Sequence, residues 1–181
     1  MSGTGPAPGR AKGAAAGAAI AVLIRAPLWR VAGLRPAETA RRAARAALAA
    51  GLELNRPVAL TVALSDDSEL RVLNRIWRGK DRPTNVLSFP SGAAGPDGRR
   101  ALGDVILAFE SVAREAEAAK KSLAHHLSHL VVHGVLHLIG YDHERPAEAR
   151  RMEGLEVRVL AGLGISDPYA AVPPLRRLGK R

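Results

Sequence analysis

The sequence predicts an α+β fold, a small mixed β-sheet of about four strands covered by about five helices. Two observations carry this. Strand-like runs and helical stretches come in the order βα βα ββ ααα, so strands crowd the first half and helices the second. With 181 residues, 47% of them apolar and 24% charged, the chain can build one core but not two ordinary domains.

The elements follow in order. Residues 1–18, rich in Gly, Ala and Pro with two basic groups, read as a disordered leader. Arg10 and Lys12 ahead of the apolar stretch 14–24 mimic a secretory signal. That stretch is only weakly apolar, Arg25 ends it, and no clear small-x-small cleavage site follows, so a cytoplasmic protein is expected. The folded domain is expected over 19–169, with a basic tail at 170–181. Its first strand is 19–25. Pro36 then opens a helix to about residue 50, stopped by Gly51. Residues 58–64 alternate apolar and small side chains in strand fashion. Ser65 or Asp66 caps a helix over 67–77, and Glu69 stands where a capping box needs it. A short strand at 85–89 ends at Pro90, a loop covers 91–100, and a second strand at 104–109 could pair with it. Ser111 starts a helix to about 120. Ser122 caps the next, 123–139, with Gly140 just past its end. Pro146 fits the first turn of a last helix to about 161.

Composition removes several function classes. The absence of cysteine excludes thiolate zinc sites, Fe–S clusters, disulfide scaffolds and cysteine nucleophiles. No apolar run approaches the roughly 20 residues of a membrane span. Six aromatics are too few for a stacking platform of the RRM type. The net charge of +10 suggests a polyanion partner, but its distribution qualifies that. Residues 1–50 hold eight basic groups against one acidic, and 171–181 hold four against none. Residues 51–170 hold 15 against 16, close to neutral. The excess on Arg41, Arg42, Arg45 and the tail 176–181 is expected to give general, salt-sensitive anchoring to such a polyanion.

All six histidines fall between 125 and 143. His133 and His137 share one helix face about 6 Å apart along the axis, so two imidazoles can converge on one ion. His129 lies about 12 Å from His137 along that axis, too far to join. Gly140 allows the chain to reverse, and His143 follows. His-x3-His-x2-Gly-x2-His is the spacing of a metzincin-like metal helix and turn, and three histidines on zinc leave a fourth position open, as in hydrolytic sites. His125, His126 and His129 are expected to be ordinary helix side chains, with His129 able to support a ligand. Zinc proteases carry a Glu general base after the first His, but here that residue is Gly134, which disfavours peptide hydrolysis. Arg78, Lys80 and Arg82 gather three cations just before a strand. An arginine near a metal site could grip a phosphodiester and stabilise charge on phosphorus.

Arg-Gly-Lys-Asp-Arg-Pro-Thr-Asn-Val-Leu-Ser-Phe-Pro (78–90), Leu-Gly-Asp-Val (102–105) and His-Gly-Val-Leu-His-Leu-Ile-Gly-Tyr-Asp-His (133–143) resemble the YbeY family of bacterial endoribonucleases. The similarity runs from about residue 19 to 169. The resemblance implies one zinc ion on His133, His137 and His143, with Arg78 and His133 as catalytic residues. It also implies cleavage of single-stranded RNA, processing of the 3′ end of small-subunit (16S) rRNA, and a role in ribosome maturation and quality control. The implied partners are rRNA and the small ribosomal subunit, with no membrane and no DNA. Attack by a zinc-bound hydroxide or by the ribose 2′-hydroxyl both stay open, as does the base, for which Asp104, Asp142 and Glu144 are candidates. The alternatives are a metzincin-like peptidase and a non-catalytic ribosome-associated protein with structural zinc.

Overall fold

The structure, a computed structural model, describes residues 17–31, 33–52, 56–94 and 98–170. The expected leader up to residue 16 and the tail from 171 lie outside the described residues. Among those described, four strands and five α-helices form the expected α+β architecture. In chain order they are β1 (Ala18–Ile24), α1 (Pro36–Gly51), β2 (Val58–Ser65), α2 (Asp67–Arg78), β3 (Val86–Pro90), β4 (Arg100–Ala108), α3 (Phe109–Ala118), α4 (Leu123–Leu138) and α5 (Pro146–Gly162). The strand order is β1-β2-β4-β3, with parallel pairing at β1–β2 and β2–β4 and antiparallel pairing at β3–β4.

Strand alternation sorts side chains between two faces of unequal weight. Val58, Leu60, Val62 and Leu64 of β2, with Val105 and Leu107 of β4, point into the main core under α1, α4 and α5. Ala63, Leu87, Ile106 and Ala108 point the other way, into a smaller cluster closed by Leu70 and Leu73 of α2. On the main face α1 presents mostly small residues inward, with Leu48 near its end. Ala40, Ala43, Ala44 and Ala47 are wholly buried, letting α1 lie close against α4. The central helix α4 is apolar almost all round, as its burial between sheet and helices requires. A 3-10 turn at Pro27–Trp29, which the sequence did not reveal, buries Trp29 with its indole N–H donating to the Ser65 carbonyl at 2.7 Å.

Two elements start two or more residues earlier than the sequence leads one to expect. β4 begins at Arg100, four residues early, because 100–103 pair with β2 through a bulge. Ala59 faces Ala101 and Leu60 faces Gly103, leaving Leu102 as the extra residue. Gly103 sits at φ +125°, where a Cβ would lie 2.0 Å from the Phe89 carbonyl oxygen, so the glycine is part of the strand and not a loop signal. Helix α3 begins at Phe109, two residues before Ser111. Its first turn is satisfied from another helix. The Ser111 N–H donates to Asp67 Oδ1 at 3.1 Å, while the Asp67 N–H donates to Glu110 Oε2 at 2.9 Å. The cap on α2 is half of the expected box. Asp66 accepts from the Glu69 N–H at 2.9 Å, but the Glu69 carboxylate turns to Ser65 and Arg25.

Candidate metal centre

α4 is positioned for the site by its caps. Ser122 Oγ accepts the His125 N–H at its start, and Gly140, at φ +94°, reverses the chain beyond its end. His133 and His137 project from the last two turns, and His143 returns from the loop after Gly140. The Nε2 atoms of His133 and His137 stand 3.2 Å apart. One ligand atom from each of the three histidines lies within 4.8 Å of the others, a group that could hold a metal ion. The rings pack at centroid distances of 4.7, 5.4 and 5.0 Å.

Beneath the trio lies a residue that sequence reasoning missed. Glu156 of α5 is completely buried, and its Oε1 stands 2.8 Å from His133 Nδ1. An Nδ1–H donated to this carboxylate fixes the tautomer in which Nε2 of His133 keeps a free lone pair. The other oxygen, Oε2, is shared by His129 Nε2 at 3.3 Å and the Tyr169 hydroxyl. Burial alone would push the Glu156 carboxyl up. The hydrogen bonds from His129, His133 and Tyr169 outweigh it and bring the pKa down to about 2. The Tyr169 phenol is pushed upward by burial and by Glu156, so it remains a donor. His137 is lowered to about 4, chiefly by burial and then by His133 and His143, so its imidazole is neutral at ordinary pH. A neutral His137 and a His133 tautomer fixed from behind suit a nitrogen-coordinated cation, and the donor set of three imidazoles fits a borderline-soft divalent ion such as zinc. A signal for Glu156 was present in the sequence. It falls on the buried stripe Met152, Leu155, Val159, Leu160 of α5, where a lone carboxylate needs a reason to be.

The histidines open into a cleft of about 550 Å³ whose lining includes Arg78, Thr84, Asn85, Ser88, Asp142 and Glu144. Arg78 closes α2, so the end of one helix and the end of another meet across the edge strand β3. Asn85 is held in the wall by donating to Glu115 Oε2 at 2.9 Å. A second cavity of about 310 Å³ shares Arg78, Thr84 and Asn85 with the first and adds Lys80, Arg82 and Arg114. The three expected cations of the 78–82 segment therefore line the second cavity together, and Arg78 is the one that also lines the cleft of the histidines. Of the candidate proton acceptors, Asp142 and Glu144 line the cleft, with Asp142 Oδ1 already accepting the His143 N–H at 2.7 Å. Asp104 pairs with Phe89 in the sheet and is not among the lining residues.

Gly134 has a packing reason. A Cβ there would meet Val105 Cγ1 at 2.5 Å and Ser88 Oγ at 3.0 Å, so α4 lies directly on the sheet and a glutamate has no room. The three remaining histidines do not join the trio. His125 is exposed, His126 is buried against Glu115 at 2.9 Å, and His129 hydrogen-bonds toward Glu156 and Tyr169 with its ring edge-on to His126.

Comparison with known proteins agrees with this geometry. The family model described as Endoribonuclease YbeY matches residues 34–164. A protein of Azorhizobium caulinodans named Endoribonuclease YbeY is 58% identical over 137 residues, covering 74% of this chain and 86% of its own. Its namesake in Paramagnetospirillum magneticum is 52% identical over 158 residues, covering 83% and 94%. In fold, the chain is similar to the solution structure of TM1509 from Thermotoga maritima, with a TM-score of 0.50 at 24% identity, covering 90% of this chain and 99% of that one. The family model's range takes in Arg78, the three histidines and Glu156, and with relatives of this identity and extent it establishes the kinship: the chain belongs to the endoribonuclease YbeY family.

Proposed function

We propose that this protein is a zinc-dependent endoribonuclease that cuts single-stranded RNA in ribosomal RNA maturation, at the 3′ end of small-subunit rRNA. Membership of the endoribonuclease YbeY family makes it an endoribonuclease; the metal, the strand preference and the rRNA target are the proposal. One observation carries it. Arg78 and the trio His133, His137, His143 line the same cleft, joining a cation site to a guanidinium suited to phosphate.

In this reading the three imidazoles hold one ion, and when bound it supplies Lewis acidity toward a phosphodiester. Glu156 keeps the His133 Nε2 lone pair turned outward. Arg78 draws the scissile phosphodiester into the cleft with paired N–H donors and stabilises the charge that gathers on phosphorus. The adjoining hollow, with Lys80, Arg82 and Arg114, receives the negative backbone on one side of the cut. Asp142 and Glu144 are the carboxylates within reach of a departing proton. Gly134, pressed on Val105, speaks against a peptidase of the zinc-protease kind. The proposed setting is the cytoplasm, with the small ribosomal subunit as partner. Among the described residues no helix is long and apolar enough to cross a membrane.

The test is cleavage of labelled single-stranded RNA and of the same RNA in duplex by the full chain, alongside a peptide library. The reading expects cuts in the single strand only and an untouched peptide library. Peptide hydrolysis without RNA cleavage would replace it with the peptidase.

A further inference from the structure

We propose that Trp77 is the stacking residue for an unpaired base of the RNA next to the scissile phosphodiester, and thereby helps select single strands. This rests on the reading of the cleft as an RNA-cutting site. Large aromatic side chains are usually covered, yet Trp77 is 67% exposed. Its ring is nonetheless held in place, meeting Phe89 edge-on at a centroid distance of 5.6 Å and an interplanar angle of 60°. Both neighbours tie it to the cleft. Arg78, which lines the cleft, follows it in the chain, and Phe89 lies between Ser88 and Pro90, which line the cleft too. β3 is an edge strand, so Trp77 and Phe89 sit on the far side of that edge from the histidines. An RNA strand leaving the metal site across β3 meets the indole there.

Charge favours RNA over a protein partner. Arg75, Arg78 and Lys80, all exposed, flank Trp77 in the chain, a run of cations that attracts a phosphate backbone. Stacking on a single aromatic face is tolerant of sequence and needs the base unpaired. The neighbouring Ile76, 64% exposed, and Val72 point a different way on α2 and supply no ring. They provide an internal control.

The experiment titrates the full chain, kept from cutting by a chelator, with a fluorescent single-stranded RNA. Trp77→Ala is expected to weaken binding about tenfold, Trp77→Phe to recover much of it, and Ile76→Ala to leave it unchanged. Since Trp29 is fully buried, quenching of intrinsic emission by single-stranded RNA reports on Trp77. An abasic nucleotide beside the cleavage position should erase the difference between the parent and Trp77→Ala. Equal binding and cleavage by parent and Trp77→Ala, or emission unmoved while RNA binds, would overturn the proposal. So would an Ile76→Ala loss as large as that of Trp77→Ala, which marks an apolar surface for a protein. If the parent chain with its metal neither binds nor cuts the RNA, the endoribonuclease reading itself fails and takes this one with it.

Discussion

The two ends of α4 carry the same side chain in different circumstances. At the start, His125 faces solvent, His126 is buried on Glu115, and His129 leans on Glu156. At the end, His133 and His137 bring their Nε2 atoms to 3.2 Å, and the loop beyond Gly140 delivers His143 beside them. The helical repeat is identical at both ends, so periodicity does not decide which histidines converge. The decision comes from outside the helix: a chain reversal that returns a third imidazole, and a buried carboxylate on α5 that turns His133 by its Nδ1. Glu156 touches both groups, with one oxygen on His133 and the other on His129, which makes it the place where the contrast can be broken.

The largest effect is expected at the convergent end. His137→Ala removes one of three imidazoles and should abolish both stoichiometric zinc binding and RNA cleavage, read by elemental analysis and gel assay. A variant that cuts RNA at the parent rate would mean the convergence is not the reacting centre. Next comes Arg78→Ala. It lies across the cleft, so zinc content should be unchanged while cleavage falls by about 100- to 1,000-fold, the usual effect of losing one donor to a charged transition state. Loss of zinc in this variant would show that Arg78 shapes the site and does not serve the phosphate.

Glu156→Gln comes third. It keeps the shape but weakens the hold on His133, and zinc affinity should drop by about 10- to 100-fold in a competition titration. Cleavage should return at high zinc. The smallest effect belongs to the other end of the helix. His126→Ala removes the partner of Glu115 and leaves a cavity, lowering stability by about 1–3 kcal/mol in denaturant melts, with zinc affinity as in the parent. If His126→Ala lost zinc as Glu156→Gln does, the two ends of α4 would not be distinct.

The strand and helix order, the main caps and the three converging histidines were legible because each is a local pattern. Ser122 and Asp66 cap the helices they precede, and His133 with His137 needs only a helical repeat. What escaped depends on contacts between distant segments. The cap of α3 comes from Asp67, 44 residues away in the chain, so Ser111 looked like the start. The early start of β4 follows from a bulge against β2, which gave Gly103 a place inside the strand. Glu156 is 23 residues from His133, and only the packing of α5 on α4 brings the two together. The sequence shows that Gly134 offers no side chain as a base, but what requires a glycine there, the closeness of Val105, is three-dimensional.

The most direct test of the central claim removes the metal and returns it. Purified full chain should carry one zinc ion, and chelation should stop cleavage of single-stranded RNA while the melting curve keeps a cooperative folded state. One equivalent of zinc should restore cutting, and His143→Ala should be beyond restoration. Full cleavage by protein verified as metal-free would contradict the account. So would unfolding on chelation, which would make the ion a structural one.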